Sequence, residues 1–335
     1  MQYFKKTLKY LIIILAYFSF YNINAINFQT EDVYKITIVS SKNYKPTVDA
    51  LLKNLHESKY NVKIIYLSNK PLKILSTDLV ISLGRTSTKK AFEHLFKTHN
   101  SEVPIQYKSP ALLSVLIPKF QYEKYLEEIK KLKYDLPKDQ GFFSAIYREQ
   151  PISRILESIQ EIFPKVKNIG VLISNYDKSV LKALNQETKK RDLNLILTKN
   201  QYSHTLIKSL IKTLEQCDIL LALPDPNIFN PFTSKGIFVS SFRRGVPVFG
   251  YTKTYVDAGA VAAIYSTPAQ IAKQLVDTIN VFFKNSHKLP RVSSPKYFSL
   301  AKNKKILNLL DSVKPQGESI KNLENKKLKE LNNNE

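Results

Sequence analysis

Groups able to do chemistry in this chain sit in short polar stretches that each follow a β-branched run. Ser40-Ser41 and Gly84-Arg85-Thr86-Ser87 occupy the first half, and Ser174-Asn175-Tyr176, Asp225-Pro226-Asn227 and Gly250-Tyr251 the second. Their side chains are hydroxyls, amides, phenols and one carboxylate, which donate and accept hydrogen bonds. Where such a stretch opens a helix, free first-turn N–H groups and the helix dipole add an attraction for a carboxylate or phosphate. The candidate ligand-binding residues are therefore Ser40, Ser41, Gly84, Thr86, Ser87, Asn175, Tyr176, Asp225, Asn227, Tyr251 and Tyr255. Tyr251 and Tyr255 can stack on a flat ligand or pack against a hinge. Taken singly, each position is also explained as a cap or turn residue; taken together they fit a cleft.

Catalytic signatures are missing. The sequence has no G-x-S-x-G elbow, no G-x-G-x-x-G, no phosphate-binding glycine loop, no H-E-x-x-H and no C-x-x-C. His56, His94, His99, His204 and His287 stand alone, without metal-ligand spacing. A hydrolase would need Asp225 or Ser41 to act with no evident base nearby in sequence. No metal, cofactor or enzymatic activity is expected, and binding is the chemistry that remains.

The elements that must hold these stretches alternate regularly. Val33 to Ser40, Val62 to Leu67, Leu79 to Leu83, Ala111 to Ile117 and Phe142 to Tyr147 read as strands. Between them, Val48, Leu51, Leu52 and Leu55, then Ala91, Phe92, Leu95 and Phe96, then Tyr122, Tyr125, Leu126, Ile129 and Leu132 mark apolar helix faces. Thr86 or Ser87 can cap the second of these helices. A second series follows, with strands over Asn168 to Ser174, Leu193 to Thr198, Ile219 to Leu223 and Val246 to Phe249. Its helices are marked by Ile152, Ile155, Ile159 and Ile162, by the run from Lys178, by Leu206, Ile207, Leu210 and Leu214, and by a stretch from about Pro231 to Gly245. Ser266-Thr267-Pro268 is a helix start, and Pro290 to Leu300 reads as extended before a final helix at Ile306, Leu309 and Leu310. Two consecutive βα series predict an α/β protein of two doubly wound parallel-sheet lobes. Ligands of such sheets bind beyond the carboxyl ends of the strands, where the polar stretches lie.

A chain of 335 residues with 43% hydrophobic content suits two cores. The formal charge of +23 comes from 51 Lys and Arg against 28 Asp and Glu, scattered without an arginine-rich or aromatic-interleaved stripe. A solvated surface is the expected meaning, with no nucleic-acid partner. The single cysteine, Cys217, forms no internal disulfide and is expected to be a buried apolar residue. Residues 1–25 form an expected signal peptide: Lys5, Lys6 and Lys9 precede an apolar run from Tyr10 to Phe20, with cleavage after Ala25. That run is shorter than the roughly 20 residues a spanning helix needs. No lipobox cysteine follows it, so the expected location is a periplasm, without a lipid anchor. From about Gln316 to Glu335 the chain is a polar tail.

The second half resembles a known family. Ser144-Ala145-Ile146-Tyr147-Arg148-Glu149-Gln150-Pro151, Phe163-Pro164 and Ile169-Gly170-Val171-Leu172 carry the likeness. So do Leu221-Ala222-Leu223-Pro224-Asp225-Pro226, Val246-Pro247-Val248-Phe249-Gly250-Tyr251, the stretch from Ala258 to Pro268, and Phe298-Ser299-Leu300-Ala301-Lys302-Asn303. Together they resemble ABC-transporter substrate-binding proteins of the tryptophan/tyrosine-binding type, most closely an uncharacterised proteobacterial branch. The likeness runs from about Ser144 to Leu310 and is topological before that. It implies a type I periplasmic-binding-protein fold, with two lobes joined by three crossings. Lobe 1 would comprise 26–147 plus 264–294, and lobe 2 148–263 plus 295–315. It also implies a monomer that traps a small molecule, such as an amino acid or aromatic compound, by hinge closure and delivers it to an inner-membrane ABC permease. The alternative is an accessory or sensor module that presents to a membrane receptor.

Overall fold

The computed structural model describes residues 33–55, 59–96, 110–131, 141–174, 178–200 and 202–313. The expected signal peptide and polar tail, and Asn175, Tyr176, His56 and His99, lie outside the described residues.

The β-branched runs become β1 (Tyr34–Ser40), β2 (Tyr60–Tyr66), β3 (Leu79–Leu83), β4 (Ala111–Ile117), β5 (Phe143–Tyr147), β6 (Asn168–Ile173), β7 (Asn194–Lys199), β8 (Ile219–Leu221), β9 (Val248–Gly250), β10 (Ala262–Tyr265) and β11 (Ser299–Lys302). The helices are α1 (Lys45–Asn54), α2 (Arg85–Phe96), α3 (Lys119–Lys131), α4 (Ile152–Ile162), α5 (Lys178–Lys190), α6 (Leu206–Leu214), α7 (Ser234–Arg243), α8 (Lys253–Asp257), α9 (Pro268–Lys284) and α10 (Lys304–Val313). Two sheets result, one in the order β2-β1-β3-β4-β5 and the other β11-β10-β9-β8-β6-β7. Each is the sheet of one lobe.

Parallel sheets must be covered on both faces, and the side chains divide accordingly. Ile36, Ile38, Leu79, Ile81 and Leu113 face α1 and α9, where Val48, Leu51, Leu275, Ile279 and Phe282 meet them. The other face, with Val39, Val80, Leu112 and Ala145, packs on Phe92 of α2 and on Tyr122 and Tyr125 of α3. In the second lobe α4, α5 and α10 supply Ile155, Ile159, Leu184 and Leu307 to one face. Leu206, Leu210, Ile237 and Phe238 of α6 and α7 cover the other. Cys217 is buried there as expected, so close to Gly170 that a Cβ built on the glycine would lie 2.5 Å from the cysteine sulfur. Burial pushes the thiol pKa up to about 11.

Sheet order explains how the lobes are tied. β10 belongs to the second sheet, yet α9, two residues later, packs on the first. Thr267 starts α9 with a capping box: its hydroxyl accepts from Gln270 N and the Gln270 side chain accepts from Thr267 N. The chain then runs back along β5, where Ser293 N donates to Ala145 O and Tyr147 N to Ser293 O, both at 2.9 Å. It re-enters the second sheet as β11, antiparallel to β10. The sequence reading identified this stretch as extended but expected purely parallel sheets. Between β10 and β11 the chain crosses to the first lobe for α9 and comes back along β5, so it enters the second sheet from the other lobe and can pair with β10 in the opposite direction.

Two helix starts also differ from expectation. α2 begins at Arg85, so Thr86 and Ser87 lie inside its first turn and neither can be the cap. Gly84, at φ +81°, turns the chain earlier than a side-chain cap would, and its carbonyl accepts from Thr88 N. α7 begins at Ser234 rather than near Pro231. Asn230 Oδ1 accepts from Phe232 N at 2.9 Å and Thr233 N at 3.2 Å, which holds that segment as a turn.

Candidate functional site

The candidate residues of the first lobe collect at the carboxyl ends of β1 and β3. Ser40 ends β1, fully buried, and its hydroxyl donates to Ser41 O at 2.9 Å. Ser41 is half-buried and opens a short 3₁₀ turn, Lys42–Tyr44, without a side-chain cap bond. That turn lays the Tyr44 ring over Gly84: a Cβ built on Gly84 would stand 2.3 Å from Tyr44 Cε2. Gly84 N also donates to Val115 O at 2.8 Å, which fastens the β3–α2 turn to β4. Thr86 is exposed, whereas Ser87 is buried and its hydroxyl has no hydrogen-bond partner. Sequence reasoning missed Tyr44; its position just before the Lys45-Pro46 helix start was the available signal.

β4 carries a second irregularity beside this edge. Leu116 takes φ +57°, an uncommon conformation for a branched side chain. The β4–β5 register shifts there. Such bulges re-aim the chain at the rim of a sheet, and here Ile117 O is brought to accept Arg148 N at the start of the first crossing. Tyr147, the last residue of β5, and Tyr122 beneath it are both desolvated. Burial raises both phenol pKa values, that of Tyr147 to about 12.

In the second lobe three residues come together. Asp225 is 3% exposed, and its carboxylate joins the loops that follow β6 and β8. Oδ2 accepts Ser174 N at 2.7 Å, Oδ1 accepts Asn227 N at 3.0 Å, and the Ser174 hydroxyl donates to the carboxylate at 2.9 Å. Asn227 Nδ2 donates to Ser174 Oγ at 3.0 Å, although Asn227 itself is exposed. A carboxylate engaged on both oxygens acts as a scaffold rather than as a free base.

Tyr251 and Tyr255 follow β9 and form a pair, with hydroxyls 2.9 Å apart and rings edge to face at 4.7 Å between centroids. Tyr255 also lies edge-on to Phe238 and receives the Ser234 hydroxyl at 3.4 Å. Its packing is therefore with the core of the second lobe rather than with the crossings. Phe232, on the Asn230 turn, is 95% exposed and was not singled out from the sequence. A shallow groove lined by Phe242, Val246, Pro247 and Ile306 lies at the opposite, amino end of the second sheet.

Between the two sets runs the connection whose side-chain contacts sequence reasoning could not give. Gln150, 8% exposed, lies on the first crossing and Ser266 on the second. Arg154 Nη1 donates to Gln150 Oε1 and to Pro295 O, both at 2.7 Å, and its guanidinium lies 4.2 Å from the Phe298 ring centre. Burial lowers the Arg154 pKa. From α9, Gln274 donates to Ser293 Oγ at 3.1 Å and accepts Lys296 N at 2.7 Å.

Among the described residues no group of His, Cys, Asp and Glu could hold a metal ion, and no helix is long and apolar enough to cross a membrane.

A family model described as ABC transporter substrate binding protein matches residues 144–311. No curated protein matches the chain. Similar solved structures include the ligand-free, open form of a substrate binding protein with adhesive properties from Clostridium difficile. It is 16% identical, with TM-score 0.60, covering 86% of this chain and 98% of that one. A conserved domain protein from Vibrio cholerae is 16% identical at TM-score 0.53, covering 86% and 97%. An ABC domain from Streptococcus pneumonia in complex with L-Trp is 17% identical at TM-score 0.50, covering 83% and 94%.

Proposed function

The chain belongs to the ABC transporter substrate binding protein family, and from that premise we propose that it captures a small molecule in a periplasm by closing its two lobes and delivers it to an inner-membrane permease. The signal peptide would direct export and be removed by cleavage after Ala25. The observation that carries the closing motion is the meeting of three crossings. Each lobe has its own core, and the chain between them passes through short segments held by side-chain hydrogen bonds around Gln150, Arg154 and Ser266. Such a connection lets two rigid bodies rotate about a few residues.

The ligand would sit between the carboxyl ends of β1, β3 and β4 and those of β6, β8 and β9. Ser41, Thr86 and the first turn of α2 would present polar groups from one side, and Asn227 and Tyr251 from the other. Tyr44 and Tyr251 offer rings to a flat ligand. An amino acid or aromatic compound suits this mixture of donors, acceptors and rings; the pneumococcal protein above was solved with L-Trp.

The test is a broad metabolite screen on refolded, ligand-stripped protein, read by melting temperature and small-angle scattering. A ligand-dependent rise in Tm together with compaction supports trapping by closure. Neither response across the screen would remove the transport reading.

A further inference from the structure

We infer that Asp225 is a positioning residue, which sets the two ligand-facing loops of the second lobe and turns the side-chain oxygen of Asn227 outward as a hydrogen-bond acceptor for the ligand. The inference rests on the solute-binding reading above and assigns roles within that site.

The argument is an inventory of protons. Asp225 is buried at the end of the β8 strand region and receives two backbone N–H groups from different loops, Ser174 N on Oδ2 and Asn227 N on Oδ1. The second bond closes an Asx turn. Ser174 has one hydroxyl proton, and it points at the carboxylate, 2.9 Å from both oxygens. The remaining capacity of Ser174 Oγ is as an acceptor. Asn227 must therefore present its NH₂ group to Ser174, as the 3.0 Å contact from Nδ2 has it. Its Oδ1 is then directed away from Ser174, on an exposed residue at the carboxyl edge of the sheet. The ligand chemistry that meets this atom is a donor: an ammonium, an amide N–H or a hydroxyl.

Asp225→Asn would break one arm of the brace. Two backbone N–H groups approach two different oxygens, and an amide has only one oxygen to offer them. The Ser174 N arm at 2.7 Å is the shorter, so the Asn227 arm is the one released.

The test compares wild type with Asp225→Asn, Asp225→Ala and Asn227→Ala in the full exported chain. Hydrogen exchange without ligand reads the brace directly. Asp225→Ala should speed exchange at both Ser174 N and Asn227 N roughly tenfold or more, and Asp225→Asn chiefly at Asn227 N, with the interiors of β6 and β8 unchanged. Binding is read by calorimetry with the twenty proteinogenic amino acids as probes. For any amino acid that binds wild type, Asn227→Ala should raise Kd about tenfold without altering exchange at Ser174 N, and Asp225→Asn should fall between wild type and Asp225→Ala. Unchanged exchange at both amides would overturn the brace. A Kd unmoved by Asp225→Ala or Asn227→Ala would overturn the positioning role. Wild type that binds none of the twenty counts against the amino-acid reading instead, and the exchange result still decides the brace.

Discussion

The side-chain amide of Gln150 donates to Ser266 Oγ at 2.9 Å, and Ser266 donates in turn to the backbone carbonyl of Tyr297 at 2.6 Å. One residue from each crossing thus meets in a single chain of hydrogen bonds. Ser266→Ala removes both bonds and leaves a largely buried amide without its acceptor. The expected cost is about 1–3 kcal/mol, measured as a lower urea midpoint. A variant as stable as wild type would mean that the crossings are held by their backbones alone.

Gly84 has two reasons to be glycine, its φ of +81° and the Tyr44 ring against it. Gly84→Ala should destabilise the first lobe by about 1–3 kcal/mol. Adding Tyr44→Ala should restore the steric part and leave the backbone part. Thermal melts of the two single variants and the double variant separate them, and purely additive effects would show that the ring yields freely.

Cys217 is buried and its thiol pKa is raised to about 11. At pH 8 the native protein should react with a thiol reagent at least about a hundredfold more slowly than the urea-unfolded chain, since the thiolate is the reacting species. Equal rates would place the sulfur at the surface.

Alkaline stability follows from three raised acid groups. Tyr122, Tyr147 and Cys217 release protons in the unfolded chain near their ordinary values of 10.0, 10.0 and 9.0, but later in the folded state. Their contribution is complete below pH 9 and is lost as pH rises from there through about 12, because the unfolded chain binds fewer protons in that range. Denaturant midpoints measured between pH 8 and 11 should fall steadily. Tyr147→Phe should flatten part of that fall, and an unchanged slope would contradict a desolvated Tyr147.

Leu275 of α9 is fully buried against the first sheet. Leu275→Ala should cost about 2–5 kcal/mol, read as a lower denaturation midpoint. A cost below about 1 kcal/mol would mean that α9 does not close that core.

Much of the architecture was legible because parallel strands buried on both faces read as near-continuous apolar runs. Ala111 to Ile117 and Asn168 to Ser174 are examples, and their strand assignments agree with the structure to within a residue. The helix start at Thr267-Pro268 was equally legible, since its cap is made by residues three positions apart. β10 and β11 were harder. Each spans four residues, and their pairing joins stretches with a whole helix and a crossing between them.

The candidate site divides along the same line. Ser40, Ser41, Gly84, Asp225, Asn227 and Tyr251 could be placed at strand ends from the sequence because loops at strand ends are local features. What each does there was not local. Asp225 is a brace because Ser174, far away in sequence, reaches it, and Gly84 is crowded because Tyr44 folds over it. Gln150 lay within a stretch that carried the family likeness, but its partners Arg154 and Ser266 could not be read from it. Arg154 and Gln274 carried no motif, since amides and guanidinium groups are common on helix surfaces and matter here for the groups they meet.

The sequence alone determined the alternation of strands and helices, the absence of recognisable catalytic motifs and the family, because these depend on residue type and short spacing. Only the tertiary structure decided the partners of Asp225, the hydrogen-bonded meeting of the three crossings and the antiparallel return of β11. Those depend on contacts between residues distant in the chain, which no local pattern encodes.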